Sequence, residues 1–289
     1  MTKLQQLRCR QIAEGDFNDL AALLNKAFSC WSHGYWLEGL AHMRDRESPQ
    51  GFPRYGFLLE SGGRIVGVIL TIFTAAGEGE ARKVRCNVSS WYVEPEFRGH
   101  GSPMISQVFK YKDVTVLNVS ALVHTWPILK HQGYVRYSEG QMISVPALRL
   151  GPFGVRVLPY EPSMASRLRD ADEAALLAYH AGRGCLSLVC EKDGGLTPFV
   201  FLKRPISKLH VSYVQLAYCR DTADFVRFAG PLGRYLLAHG MPVAALDAEG
   251  PVKGLVGRFV KDRVPKFYRG PDRPRLNDLA YTEAVVLGV

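Results

Sequence analysis

Paired cysteines are missing from this chain. Its six cysteines (Cys9, Cys30, Cys86, Cys185, Cys190 and Cys219) form no Cys-x-x-Cys, and the nearest two have four residues between them. That spacing excludes the usual zinc frameworks and a disulfide-stapled secreted module, and reads as separate core thiols in a reducing compartment. Long apolar runs are missing too. The most hydrophobic stretch, residues 65–73, falls well short of the ~20 residues that span a bilayer. The opening MTKLQQLRCRQIAEGD has no apolar core of the kind a secretory signal carries. A cytoplasmic protein without a membrane span is therefore expected. No basic run stands beside a DNA-reading motif, so nucleic acid is not an expected partner.

What is present is an ordinary globular composition, 47% apolar and 22% charged over 289 residues. This is enough chain for two medium domains with real cores. Lys and Arg number 36 against 27 Asp and Glu, a net charge of +9, which favours anionic partners of several classes.

Phe17, Leu20, Leu23, Leu24, Ala27 and Phe28 recur at helical spacing behind a candidate N-cap, Asp16. A second helical stretch covers 35–46, and a hairpin follows, with strands at 55–60 and 65–74 around Ser61-Gly62-Gly63-Arg64. Gly and charged residues fill 77–82, and a strand at 84–93 precedes Glu94-Pro95-Glu96-Phe97-Arg98-Gly99-His100-Gly101-Ser102-Pro103, with a helix beginning near Pro103. A strand at 114–120 and a helix at 124–132 lead to Gly133-Tyr134.

Prolines at 146, 152, 159 and 162 mark a boundary. Beyond it the order of elements repeats in outline: a helix at 163–180, strands near 185–190, 197–203 and 208–218, and a helix at 222–239. A strand at 242–247, a helical region near 254–267 and a last strand at 279–287 complete it. Mixed strands and helices without strict alternation predict an α+β fold of two domains, each a mixed, mostly antiparallel sheet flanked by helices.

The segment with sharp chemistry is the strand running into Arg98-Gly99-His100-Gly101-Ser102 and then a helix. Glycines admit a ligand close to the backbone, and an arginine fork suits phosphate oxygens. The order of these features resembles the GNAT superfamily of acyl-CoA-dependent N-acyltransferases. Val93-Glu94-Pro95-Glu96-Phe97-Arg98-Gly99-His100-Gly101 is similar to the end of that family's fourth strand and its Arg/Gln-x-x-Gly-x-Gly/Ala loop. Ile128-Leu-Lys-His-Gln-Gly133-Tyr134 is similar to its late helix.

The resemblance covers roughly residues 5–145. It implies an acyl-CoA-binding domain at 1–148, a linker at 149–162 and a degenerate second copy at 163–289. It further implies a V-shaped gap between the fourth and fifth strands for acetyl-CoA or a longer acyl-CoA. Pantetheine would pair with backbone around Trp91 and Val93, and pyrophosphate would rest on residues 98–102. The acyl group would pass to an amine acceptor by direct attack, with no metal. A non-catalytic acyl-CoA-binding or scaffold protein is the alternative.

Two departures stand out. Pro103 replaces a small residue and removes an amide, and Leu129 stands where many members keep a proton-donating Tyr. Tyr218-Cys219-Arg220-Asp221-Thr222 carries no Gly-x-Gly, so the second half is not expected to bind CoA in the usual way. His124 and His33 are candidates for proton transfer. Trp31, Tyr35 and Trp36 are candidates for an acceptor wall or for core packing. Ser89 and Ser90 either touch the thioester or face a neighbouring strand, and Cys86 is a conceivable nucleophile. The Lys253, Arg258, Lys261, Arg263, Lys266 and Arg269 cluster is either a solvated face or a dock for an acidic acyl carrier protein.

Overall fold

The computed structural model describes residues 7–77, 82–206 and 211–288. Most of the Gly- and charge-rich stretch at 77–82 and the expected strand start at 208 lie outside them. The chain forms two compact units. The first comprises Met1–Asn118, Tyr268–Asp272 and Tyr281–Val289, and the second Val119–Phe267 and Arg273–Ala280.

In the first unit, β1 (Leu7–Gln11) leads through a 3-10 turn into α1 (Phe17–Ala27), followed by α2 (His33–Asp45). Asp16 does not cap α1 with its side chain. Its carboxylate instead takes the Ala13 N–H at 2.8 Å and the Arg10 guanidinium at 2.7 Å, closing the preceding turn. β2 (Gly56–Ser61), β3 (Arg64–Ala76), β4 (Lys83–Val93), α3 (Ser102–Val108) and β5 (Val114–Asn118) follow. The strand order is β1-β2-β3-β4-β5, antiparallel except for the parallel β4–β5 pair.

The spacing that predicts α1 is the spacing that buries it. Leu20, Leu23 and Leu24 pack with Trp36, Leu40 and Met43 of α2 on Leu58, Val68, Leu70 and Ile72. Each such side chain contributes on the order of 1.5–3 kcal/mol by leaving water.

The second unit opens with a 3-10 turn at Val123–Thr125, α4 (Trp126–His131), β6 (Val135–Ser144), β7 (Arg156–Pro159) and α5 (Ala171–Gly182). It continues with β8 (Leu186–Lys192), β9 (Gly195–Ile206), β10 (Val211–Cys219), α6 (Thr222–Ala238), β11 (Ala244–Ala248) and β12 (Gly257–Arg269). The strand order is β12-β6-β11-β10-β9-β8-β7, over a core of Phe199, Phe201, Phe225, Phe228 and their aliphatic neighbours.

Three expectations change here. The units divide after Asn118, and the 149–162 stretch lies inside the second. The reason is β6, which pairs with β11 from Gly140↔Ala248 to Ser144↔Ala244. Residues 254–267 contain most of a strand, β12, rather than a helix. Pro265 is costly inside a helix, and the backbones of β6 and β12 approach closely at two glycines, one on each strand. A Cβ at Gly140 would stand 2.2 Å from the Val260 carbonyl oxygen, and one at Gly257 2.0 Å from that of Ile143. Finally, 279–287 is not a strand. It turns at Tyr281 (φ +57°) and forms the short α7 (Glu283–Val286) in the first unit. None of the helices among the described residues is long and apolar enough to cross a membrane.

Candidate functional site: a strand fork in each unit

β4 and β5 pair only from Val84↔Val114 to Asn87↔Leu117, while β4 continues to Val93. Residues 88–93 therefore run on without β5 beside them, and the two strands form a fork. Beyond its vertex β4 carries an extra residue. Leu70 pairs with Ser89 and Val68 with Tyr92, so three steps on β4 oppose two on β3. Ser90 sits at φ +49° in this bulge, a conformation a serine holds only under local compulsion. The Ser89 and Ser90 hydroxyls lie 3.1 Å apart.

Asn87 marks the vertex. Its Nδ2 donates to the Leu117 carbonyl at 3.4 Å, and its Oδ1 accepts the Glu283 N–H at 2.6 Å. An asparagine in a buried stretch of strand is a local misfit. That misfit, rather than any motif, is the signal that could have drawn notice to it.

The end of β4 is anchored by Glu94, which accepts from Lys26 at 3.0 Å and Arg64 at 2.5 Å. These two cations hold its carboxyl below the ordinary range against the opposing effect of burial. Pro95–His100 forms a 3-10 turn, and Gly101 leads into α3. Neither glycine of the motif adopts positive φ. The Gly101 N–H is spent on the Arg98 carbonyl at 3.3 Å, and a Cβ there would lie 3.2 Å from Val93 Cγ2 and 3.8 Å from the Trp91 ring. A Cβ at Gly99 would meet nothing within 4 Å. Arg98, Gly99, His100 and Ser102 are exposed, Trp91 half-buried and Val93 buried.

His33 is exposed at the start of α2, 3.4 Å from the Asn18 carbonyl. Trp31 stacks on Tyr35 at 4.2 Å, and Phe28 bridges Trp36 and Tyr92 at 5.7 and 6.4 Å. Trp36 is core, whereas Trp31 and Tyr35 remain half-buried. Cys86 is fully buried and its thiol is pushed far up by desolvation, so it is no nucleophile.

His124 and Leu129 belong to the second unit, the former exposed and the latter buried in α4. The basic cluster is not one surface. Lys266 is buried and donates to the Val119 carbonyl at 2.8 Å, Arg263 reaches Gln141, and Arg269 lies over the Phe109 ring. Lys253, Arg258, Lys261 and Arg263 remain exposed.

The second unit repeats the fork. β10 and β11 pair in parallel at Val214↔Ala244 and Gln215↔Ala245 only, and β10 bulges between Leu216 and Tyr218. Here the fork is occupied by the chain itself. The Cys219 N–H donates to the Asn277 carbonyl at 3.2 Å, the Leu279 N–H donates to the Ala217 carbonyl at 2.7 Å, and Tyr218 bridges Asp278. On the other arm Asn277 Oδ1 accepts the Asp247 N–H at 2.7 Å, and its Nδ2 donates to the Asp247 carbonyl at 3.2 Å. At the start of α6 the Asp221 carboxylate already takes the Ala223 N–H at 2.7 Å, where an incoming phosphate would meet like charge.

Solved chains of the same fold are found by superposition. A GCN5-related N-acetyltransferase from Kribbella flavida superimposes with a TM-score of 0.56 at 14% identity, over 92% of this chain and 71% of its own. One from Anabaena variabilis gives 0.60 at 10%, over 91% and 72%. The fold is that of the GCN5-related N-acetyltransferases. Eis1 of Mycobacterium abscessus has it as well (TM-score 0.51, 13% identity, 95% of this chain and 74% of that one). No family model and no curated protein matches the sequence. The expected α+β class thus stands, and the likeness to GNAT proteins is a likeness of fold.

Proposed function

We propose that the first unit binds an acyl-CoA in the β4–β5 fork and passes its acyl group to an amine. The observation that carries this reading is internal to the molecule. In the second unit the backbone of 277–279 occupies the fork and hydrogen-bonds to the bulged strand. Pantetheine also carries backbone-like amides, and the Trp91–Val93 segment of β4 offers it the equivalent strand. The GNAT fold of acetyltransferases supports an acyl-CoA donor. Because the Gly101 amide is used within its own turn, the pyrophosphate falls to the Arg98 guanidinium and to the open surface of Gly99, His100 and Ser102. Acetyl-CoA and longer donors are both accommodated by this reading. A carrier-protein donor finds less support, since Lys266 is buried and Arg269 lies over the Phe109 ring.

The chemistry is direct attack. The amine nitrogen adds to the thioester carbonyl, the C–S bond breaks, and CoA leaves as the thiol. The test is a thermal-shift series with CoA, acetyl-CoA and longer acyl-CoAs, followed by assays of thiol release. A donor at one hundred times its dissociation constant adds about 2.7 kcal/mol of stability. Arg98→Ala should weaken donor binding by about 1–3 kcal/mol, the worth of a charge-assisted contact. Equal affinity in the variant would remove Arg98 from the site, and binding without turnover would favour a non-catalytic acyl-CoA receptor.

A further inference from the structure

A single half-exposed leucine is ordinary on a protein surface. A leucine and a phenylalanine standing almost wholly in water, three positions apart, are not. Leu150 is 92% exposed and Phe153 97%, and Leu148 beside them is 64% exposed. All three lie in the second unit, on the connection from β6 to β7.

The backbone that carries them is not slack. It meets α6 at residues without bulk. A Cβ at Gly230 would stand 2.2 Å from the Arg149 carbonyl oxygen, one at Gly233 2.1 Å from the Ala147 nitrogen, and one at Gly151 2.3 Å from the Pro231 ring. Arg149 also donates to the Gly254 carbonyl, and the Val145 N–H to that of Val256 at 2.9 Å. Backbones this close leave no layer between them for side chains, so the large apolar ones of this segment stay outside.

Around the tip the surface is first apolar and then basic. Leu237, one turn along α6 from Gly233, is 53% exposed, and Val256 is 49% exposed. Lys253 and Arg258 flank Val256 and Arg234 follows Gly233, all three exposed. The acids nearest in sequence to 253–258, Glu249 and Asp262, are paired with Arg273 and Arg136. Arg156, three residues beyond Phe153, shares Glu191 with Arg167, which leaves that trio one positive charge. The bias extends to the whole unit. It holds 21 Lys and Arg against 13 Asp and Glu, so +8 of the chain's +9 lies there.

Exposed apolar side chains with cations beside them meet the two demands of an interfacial anchor. The apolar groups enter the headgroup boundary, and the cations meet anionic lipid. A bilayer takes such side chains without a matching pocket. We propose that residues 148–153 seat the second unit on membrane surfaces that carry anionic headgroups. The chain lies on the bilayer and does not cross it, and this anchoring is independent of the acyl transfer proposed above.

The experiment sediments the full chain with vesicles of phosphatidylcholine alone, or of phosphatidylcholine with one-third phosphatidylglycerol, at low and at physiological salt. Wild type should sediment with the anionic vesicles, bind the neutral ones about tenfold more weakly or less, and lose binding as salt rises. Leu150→Ser combined with Phe153→Ser should lower partition onto anionic vesicles about tenfold or more. Its melting temperature should not move, since both side chains already stand in water. Lys253→Gln combined with Arg258→Gln should lower partition about five- to thirtyfold and flatten the salt dependence. Failure of wild type to sediment with anionic vesicles would overturn the proposal, as would equal partition of the serine variant. Sedimentation velocity supplies the other arm. A concentration-dependent dimer that the two serines abolish, without vesicle binding, would assign the patch to a second copy of the chain and refute the membrane.

Discussion

The two glycines of the Arg98–Ser102 segment have different tasks, although the sequence presents them as a matched pair. At Gly101 the missing Cβ makes room for Val93, 3.2 Å away from where it would be. Gly101→Ala should therefore lower the melting temperature through crowding, a cost of about 1 kcal/mol or somewhat more. At Gly99 the same methyl would point into open space. Gly99→Ala should leave stability untouched and weaken acyl-CoA binding alone. If it changes neither, the turn does not receive the donor. Pro103, at the start of α3, occupies a position whose N–H has no partner inside a helix in any case. Pro103→Gly should preserve donor affinity or raise it, measured in the same titration.

Elements were legible where one physical signal governed them. Helical spacing located α1, turn chemistry located the β2–β3 hairpin, and Glu94-Pro95 marked the end of the strand at Val93. Features set by distant partners were not legible. The bulge at Ser90 exists because β3 sets one residue, Ile69, against two on β4, Ser90 and Trp91, and β12 is a strand because β6 lies beside it with Gly140 at the contact. No local pattern announces either. The same holds for Asn277, at φ +58° with its amide bonded to both sides of Asp247 and to Thr222. Asn277→Ala would strand the buried Asp247 N–H and leave in the left-handed conformation a residue without the side-chain amide that lets Asn hold it. A loss of about 2–4 kcal/mol in urea denaturation is expected. A loss under half a kcal/mol would mean that the segment does not brace the second fork.

At the scale of the whole molecule, stability should depend on pH through a group remote from the site. His180 in α5 is fully buried and lies 2.6 Å from the Leu176 carbonyl; desolvation pushes it down to about 4. The unfolded chain takes up that proton near pH 6.5, well before the native one does. Stability is therefore complete above about pH 6.5 and declines as pH falls towards 4. Urea denaturation should show a loss of about 2 kcal/mol between pH 7 and pH 5. His180→Gln, weaker at neutral pH, should show a flatter profile, and a wild-type profile without slope would contradict the account.

The partition of the chain also has a consequence for dissection. Tyr268–Asp272 and Tyr281–Val289 belong to the first unit, and Arg273–Ala280 to the second. A fragment cut after residue 150 would lack the pieces that complete its first unit and would carry part of the second. One short stretch, 268–288, alternates between the two, so a single deletion there should damage both.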